Sequence, residues 1–451
     1  MKELRLFNSL EQRMETFVPE IPGEVAVYVC GPTVYNHPHI GNFRPAIVFD
    51  LLRRLLLALG YKVTYVSNYT DVDDKIINRA MELGISEKEL TDSVIKEYRG
   101  LIDELGCLQP DITPTPTAYM DKIIAYVKDL VDSGHAYVVG GDVYFRVSSV
   151  PHYGELSGNS VDSLLSGARI EVNSKKESPL DFALWKATEV GIRFDSPWGK
   201  GRPGWHTECC VMIDSIFKSR GGHIDIHGGG FDLKFPHHEN EIAQSYAHNG
   251  NDLATYWLHN GFINIDNEKM SKSLGNVLLA KDVIAEYGAM AFRMMVLSAH
   301  YRAPLNFTPD TIAEAKKGYE RLQAVYRSLG IYLQANGVDD PSSLPSSSLD
   351  EFLSPLCEDL NTPNALTVLY AKIKQSNADL RACKGNIEPL KADFASLRDY
   401  SKILGLNVKY PCIQNIGKQL YREYFDAKAN KDFAKADELR NKLTEMGIWM
   451  N

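Results

Sequence analysis

Two rhythms of apolar and polar positions run along the 451-residue chain. Residues 25–30, VAVYVC, form an unbroken run of β-branched and aromatic side chains that stops at Gly31-Pro32. An apolar run of that length with a turn behind it predicts a strand buried on both faces. RPAIVFDLLRRLLLALG then carries apolar residues at helical spacing and closes at Gly60, the pattern of a helix ended by glycine. YKVTYVS predicts a second strand. DVDDKIINRAMELG predicts a second helix, with an acidic first turn that suits the helix dipole. Strand–helix–strand–helix with short connections predicts a parallel α/β sheet.

The rhythm lapses between about 115 and 195, where GDVYFRV predicts a strand and the polar stretch SGNSVDSLLSGARIEVNSKKESP follows. It resumes after Trp205. HIDIHGGG reads as a strand and glycine turn, FPHHENEIAQSYAHNG as a helix, TYWLHNGFINI as a strand and AKDVIAEYG as a helix. From about 309 the spacing is helical throughout, interrupted by the Pro/Ser-rich linker 339–350. The predicted class is α/β: a Rossmann-like parallel-sheet domain built from 1–115 and 196–308, an inserted subdomain at 116–195, a helical bundle at 309–404 and a small helical C-terminal region at 405–451.

Composition narrows the classes. With 44% hydrophobic and 24% charged residues, whole-chain disorder is excluded. A net charge of -9 excludes a chain-wide basic coat, yet a nucleic-acid partner needs only a local basic track. Seven cysteines in 451 residues are not a disulfide scaffold. The greasiest stretch, IVFDLLRRLLLALG, is broken by Asp50, Arg53 and Arg54, well short of the ~18 apolar residues of a membrane span. The N-terminal residues show no apolar signal region. The expectation is a cytoplasmic monomer with no membrane contact.

Two loops carry candidate chemistry. GPTVYNHPHIGN, 31–42, joins a strand end to a helix start, where open α/β sheets bind ligands and helix dipoles favour phosphate. There His39 can donate to a phosphate and Gly41 allows close approach. KMSKS, 269–273, places Lys269 and Lys272 three apart on a loop after a strand. Either motif alone reads equally as a polar surface loop; together, in this order and about 230 residues apart, they carry more.

HIGN and KMSKS resemble the two signatures of class I aminoacyl-tRNA synthetases. YVCGPTVY, NYTDVDDKI, GRPGWHTECC, HIDIHGGG, FPHHENEIAQ, EKMSKSLGN and LNTPNAL resemble, in family order, the cysteinyl-tRNA synthetases of bacterial type, from residue 4 to about 449. That resemblance implies ATP-dependent activation of L-cysteine to an adenylate and transfer to tRNA(Cys). It implies catalytic roles for His39, Lys269 and Lys272, ATP contacts from these with Gly41 and Asn42, and magnesium accompanying ATP. Thr70 and Trp205 match positions that line the amino-acid pocket, with Gly31 presenting its backbone to the substrate. Asn42 stands where the class I motif often has a second histidine; an amide donates a hydrogen bond but carries no charge.

A third constellation holds soft or borderline ligands: Cys30, Cys209, His237 and Glu241. The last two are four apart and so project from one helix face. The residues alone favour buried cysteines as small hydrophobes, and leave Cys210 and His238 open as alternatives. In the family the four matching positions bind one zinc ion, which would select a thiol over the near-isosteric hydroxyl of serine where shape cannot. Two other readings are a ligase joining cysteine to an amino-sugar through the same adenylation site, and a non-catalytic tRNA-binding paralogue. The helical region after 309 argues against the first, and intact KMSKS and zinc positions against the second.

Overall fold

The structure, a computed structural model, describes residues 2–159, 175–270, 275–383 and 385–448. A short hairpin, β1 (Arg5–Asn8) and β2 (Arg13–Thr16), comes first. The apolar run then forms β3 (Glu24–Val29), α1 spans Ile40–Ala58, and β4 (Lys62–Ser67) pairs parallel to β3. Val25, Val27, Tyr28 and Val29 are all buried, as a strand covered on both faces requires. Two helices follow, α2 (Asp74–Leu83) and α3 (Glu87–Glu104). Gly84 ends α2 at φ 67, a left-handed cap that glycine adopts without penalty.

After α4 (Met120–Asp132), the strands β5 (Ala136–Val139), β6 (Asp142–Phe145), β7 (Phe182–Ala187) and β8 (Gly201–Pro203) form an antiparallel sheet in sequence order. The chain returns through α5 (Trp205–Ile216), β9 (Ile224–Gly230), α6 (Glu239–Asn249) and β10 (Ala254–Asn260). The central sheet has the order β10-β9-β3-β4, all parallel. Consecutive halves of the chain therefore meet between β3 and β9. Their carboxyl ends, at Cys30 and Gly228–Gly230, flank the switch point at which such sheets bind ligands.

Three expectations are corrected here. Gly228–Gly230 lie within β9 rather than in a turn. A Cβ on Gly228 would stand 2.3 Å from the Phe49 ring of α1, and one on Gly229 2.9 Å from His238, so these glycines let neighbouring side chains press onto the strand. The run 255–265 is not one strand. It breaks at Gly261-Phe262, and β11 (Ile263–Ile265) joins a separate sheet with β12 (Glu268–Lys269) and β13 (Leu305–Phe307). A Cβ on Gly261 would lie 2.5 Å from the Ala303 carbonyl oxygen, so the chain crosses there only through glycine. The predicted helix from 235 also starts late: Phe235 is extended (φ -139, ψ 134) ahead of Pro236, and α6 begins at Glu239. A residue before proline is biased away from the helical region.

Residues Glu3–Ala285 with Tyr301–Phe307 form one compact unit, and Glu286–His300 with the chain from Thr308 onward a second. α7 (Ala280–Tyr287) spans the end of the first stretch. The second unit holds α8 (Ala289–Ser298), the 27-residue α9 (Pro309–Ala335), α10 (Asp350–Leu356), α11 (Thr362–Ala382), α12 (Glu388–Leu404), α13 (Asn415–Ala429) and α14 (Phe433–Glu445). Among the described residues no helix is long and apolar enough to cross a membrane.

Candidate active site and metal cluster

Cys30 directly follows β3, and its backbone N–H donates to the Gly228 carbonyl of β9 at 3.1 Å. Cys209 is carried by the buried face of α5, and Glu241 by the first turn of α6, with His237 in the turn before it. Three distant stretches of chain thus bring four ligand atoms to one place: Sγ of Cys30 and Cys209, a ring nitrogen of His237 and a carboxylate oxygen of Glu241 all lie within 4.8 Å of one another. The two sulfurs are 3.8 Å apart and His237 Nε2 is 2.9 Å from Glu241 Oε1. An S···S separation of about 3.8 Å is also the edge of a tetrahedron whose metal–sulfur bonds are ~2.3 Å. Two soft thiols, an imidazole and a carboxylate suit a borderline dication such as zinc, so the residues fit that ion.

A second group shares Cys30 and Glu241 but takes His227 and His238 instead. It offers one thiol rather than two. His227 Nε2 sits 2.6 Å from Glu241 Oε2, the carboxylate oxygen turned away from His237. His238 Nδ1 is 2.9 Å from His259 Nε2. In the first arrangement these imidazoles orient ligands from behind, the usual support of a metal-binding carboxylate. Cys210 belongs to neither group: its thiol faces the carbonyls of His206 and Glu241. The sequence alone does not single out His227. Nothing in HIDIHGGG marks it except that strand alternation places it and Asp225 on one face, both fully buried.

Burial alone would raise the Glu241 carboxyl, but the charges of His237 and His227 hold it well below the usual carboxylate range. Burial would lower His237, yet Glu241 and Cys209 hold it up at about 10. Burial pushes the Cys30 thiol up, whereas the hydrogen bond from Cys30 brings Cys209 down. His206 falls to about 3, chiefly through burial and then the charge of His237. The cluster therefore sets one readily charged imidazole, His237, beside the Glu241 carboxylate and an easily ionised Cys209 thiol, while Cys30 is held as a thiol and burial keeps His206, His238 and His259 neutral.

Trp205 stacks on His237, ring centroids 4.2 Å apart at 18°. It also lines a cavity of about 420 Å³ together with Cys30, Gly31, His39, Gly41, Asn42 and Lys269. A Cβ on Gly31 would stand 1.6 Å from the Asn68 carbonyl oxygen, and the Gly31 N–H donates to Asn68 Oδ1 at 2.9 Å. Asn68 escaped the sequence reading. Thr70 is buried behind this wall, accepting from Asn68 Nδ2 at 3.2 Å and facing Glu208 Oε2 at 3.5 Å. His39 caps α1, and the Asn42 side chain accepts from the His39 N–H at 2.9 Å. That commits the amide oxygen of Asn42 to the loop and leaves its NH₂ as the group able to meet an anion. Lys272 lies outside the described residues. The acidic run is structural: Asp73 caps α2 at Lys75 N, Asp71 accepts from Thr117, and Asp74 pairs with Arg202.

Residues 16–317 match the family model described as tRNA synthetases class I (C) catalytic domain, and 351–409 match the DALR domain. The chain is 46% identical to the cysteine--tRNA ligase of Halalkalibacterium halodurans, over 99% of this chain and 96% of the relative, and 46% identical to that of Geobacillus thermodenitrificans, over 99% and 97%. Among solved structures it resembles Mycobacterium tuberculosis methionyl-tRNA synthetase (TM-score 0.61, 14% identity, 84% of this chain and 89% of that one). It also resembles a putative arginyl-tRNA synthetase from Campylobacter jejuni (TM-score 0.59, 17% identity, 86% and 93%). At those identities the structures speak for the fold alone. Fold and family model together make this a class I aminoacyl-tRNA synthetase chain. Within that class it belongs to the cysteine--tRNA ligase family.

Proposed function

We propose that the chain joins L-cysteine to tRNA(Cys) in two steps, with one zinc ion held by Cys30, Cys209, His237 and Glu241. What supports this is the convergence of those four ligand atoms beside a cavity lined by His39 and Lys269. Bound there, zinc would favour a thiolate over a hydroxyl and lower the pKa of the thiol it meets. Trp205 and the Gly31 backbone would wall the amino acid, with Thr70 bracing that wall through Asn68. The cysteine carboxylate would attack the α-phosphate of ATP in line, displacing pyrophosphate that carries magnesium. Little covalent work falls to the protein in such a step, so positioning and charge stabilisation dominate. His39, Asn42 and the α1 N-terminus would hold phosphates, while Lys269 and Lys272 would act by stronger contact in the transition state. The cysteinyl group would then pass to the terminal ribose of the tRNA. In this reading the chain comprises a catalytic domain, an insertion at 116–195, a bundle and a tRNA-contacting tail, in a cytoplasmic monomer.

The test is cysteine-dependent ATP–pyrophosphate exchange, followed by charging of total tRNA. Exchange with charging is expected. Exchange without charging would favour an amino-sugar ligase, and absence of both a binding paralogue.

A further inference from the structure

Phe262 sits at the break between β10 and β11, seven residues before the first lysine of KMSKS. Three features hold it. The buried guanidinium of Arg44, on α1, donates to the carbonyl oxygens of Phe262 and Ala303, and to that of Tyr301 at 3.2 Å. The Phe262 carbonyl also accepts from Leu305 N at 2.9 Å. The ring is met edge-on by Phe231, centroids 6.0 Å apart. On the half-buried ring so placed lies the ammonium of the exposed Lys269, 4.5 Å from the centroid. Both residues line the nucleotide-sized cavity.

We propose that Phe262 is a positioning residue for Lys269: its ring, carried on a backbone that Arg44 fixes and met by Phe231, keeps the ammonium at the cavity wall until an anionic phosphate takes it. A cation over an aromatic face is held by the ring quadrupole, weakly enough at an exposed site to be given up. A carboxylate partner would hold the lysine harder and compete with the phosphate. Placing the charge in advance removes part of the ordering cost of the transition state. The inference rests on Lys269 being a phosphate contact, as read above.

A double-mutant cycle in ATP–pyrophosphate exchange, with ATP varied, tests it. Phe262→Leu keeps apolar bulk but not the ring, and is expected to lower kcat/KM for ATP about two- to fivefold. Phe262→Trp is expected to recover most of that loss. In a Lys269→Ala background the leucine substitution should add little. If Phe262→Leu were as fast as wild type or faster, or cost the same factor without Lys269, the proposal would be overturned. If Lys269→Ala itself left exchange unaltered, the phosphate reading of Lys269 would fall first and this inference with it. Should the leucine variant fail to fold by its thermal melt, Phe262→Met supplies the same comparison.

Discussion

Gly31 leaves no room for any other side chain, since a Cβ there would overlap the Asn68 carbonyl. Gly31→Ala must therefore move backbone beside Cys30, and should cost at least about 2 kcal/mol, the range of overpacked cores, read as a lower melting temperature. Cys209→Ser is expected to lower zinc content and cysteine affinity together, while the ATP affinity of the cavity persists; metal analysis with cysteine and ATP titrations checks it. The His237–Glu241 pair adds a pH dependence. His237 is held up at about 10, so in the metal-free chain it stays protonated at neutral pH. A raised imidazole contributes stability that is full below the ordinary histidine value and is lost as pH rises toward 10. Zinc must expel that proton, so its affinity should fall as pH falls, about tenfold per unit for each proton displaced; zinc titrations between pH 6 and 8 would show it. At this scale the sequence was legible in part. Cys30 and Glu241 stood out as ligand types, but the choice of His237 over His238 came from resemblance. Asn68 was invisible, because its role is to meet a backbone amide 37 residues away.

Elements were legible where a pattern is local and obscure where packing decides. The VAVYVC run and the glycine-ended helices follow from side-chain spacing alone. The β9 glycines looked like a turn because their reason, the approach of Phe49 from α1, is tertiary. The break at Gly261 was hidden because continuous apolar character on both sides of it serves two different sheets. One local device is testable by itself. Asp73 accepts from Lys75 N at 2.8 Å as the N-cap of α2, so Asp73→Ala should destabilise by about 1 kcal/mol, checked by denaturant unfolding, without changing zinc content.

At the scale of the molecule, the α/β class and the helical C-terminal third were legible from the switch in periodicity. The ligand cluster was not, because it joins residues from three stretches between 30 and 241. Within the second unit, residues 418–445 of α13, α14 and the turn between them hold seven Lys or Arg against six Asp or Glu, and Tyr421 and Tyr424 bury against their neighbours. Removing the chain from about 415 onward should spare adenylate formation and impair charging; unaltered charging would deny these helices a role with tRNA.

The central claim is a zinc ion ready to take a substrate sulfur, and X-ray absorption at the zinc edge addresses it most directly. Zinc-loaded protein should show two sulfur neighbours at ~2.3 Å and two lighter ones at about 2.0–2.2 Å. Adding L-cysteine should raise the sulfur count to three, and L-serine should leave it at two. A count that stays at two with cysteine, or starts below two without it, would contradict the account.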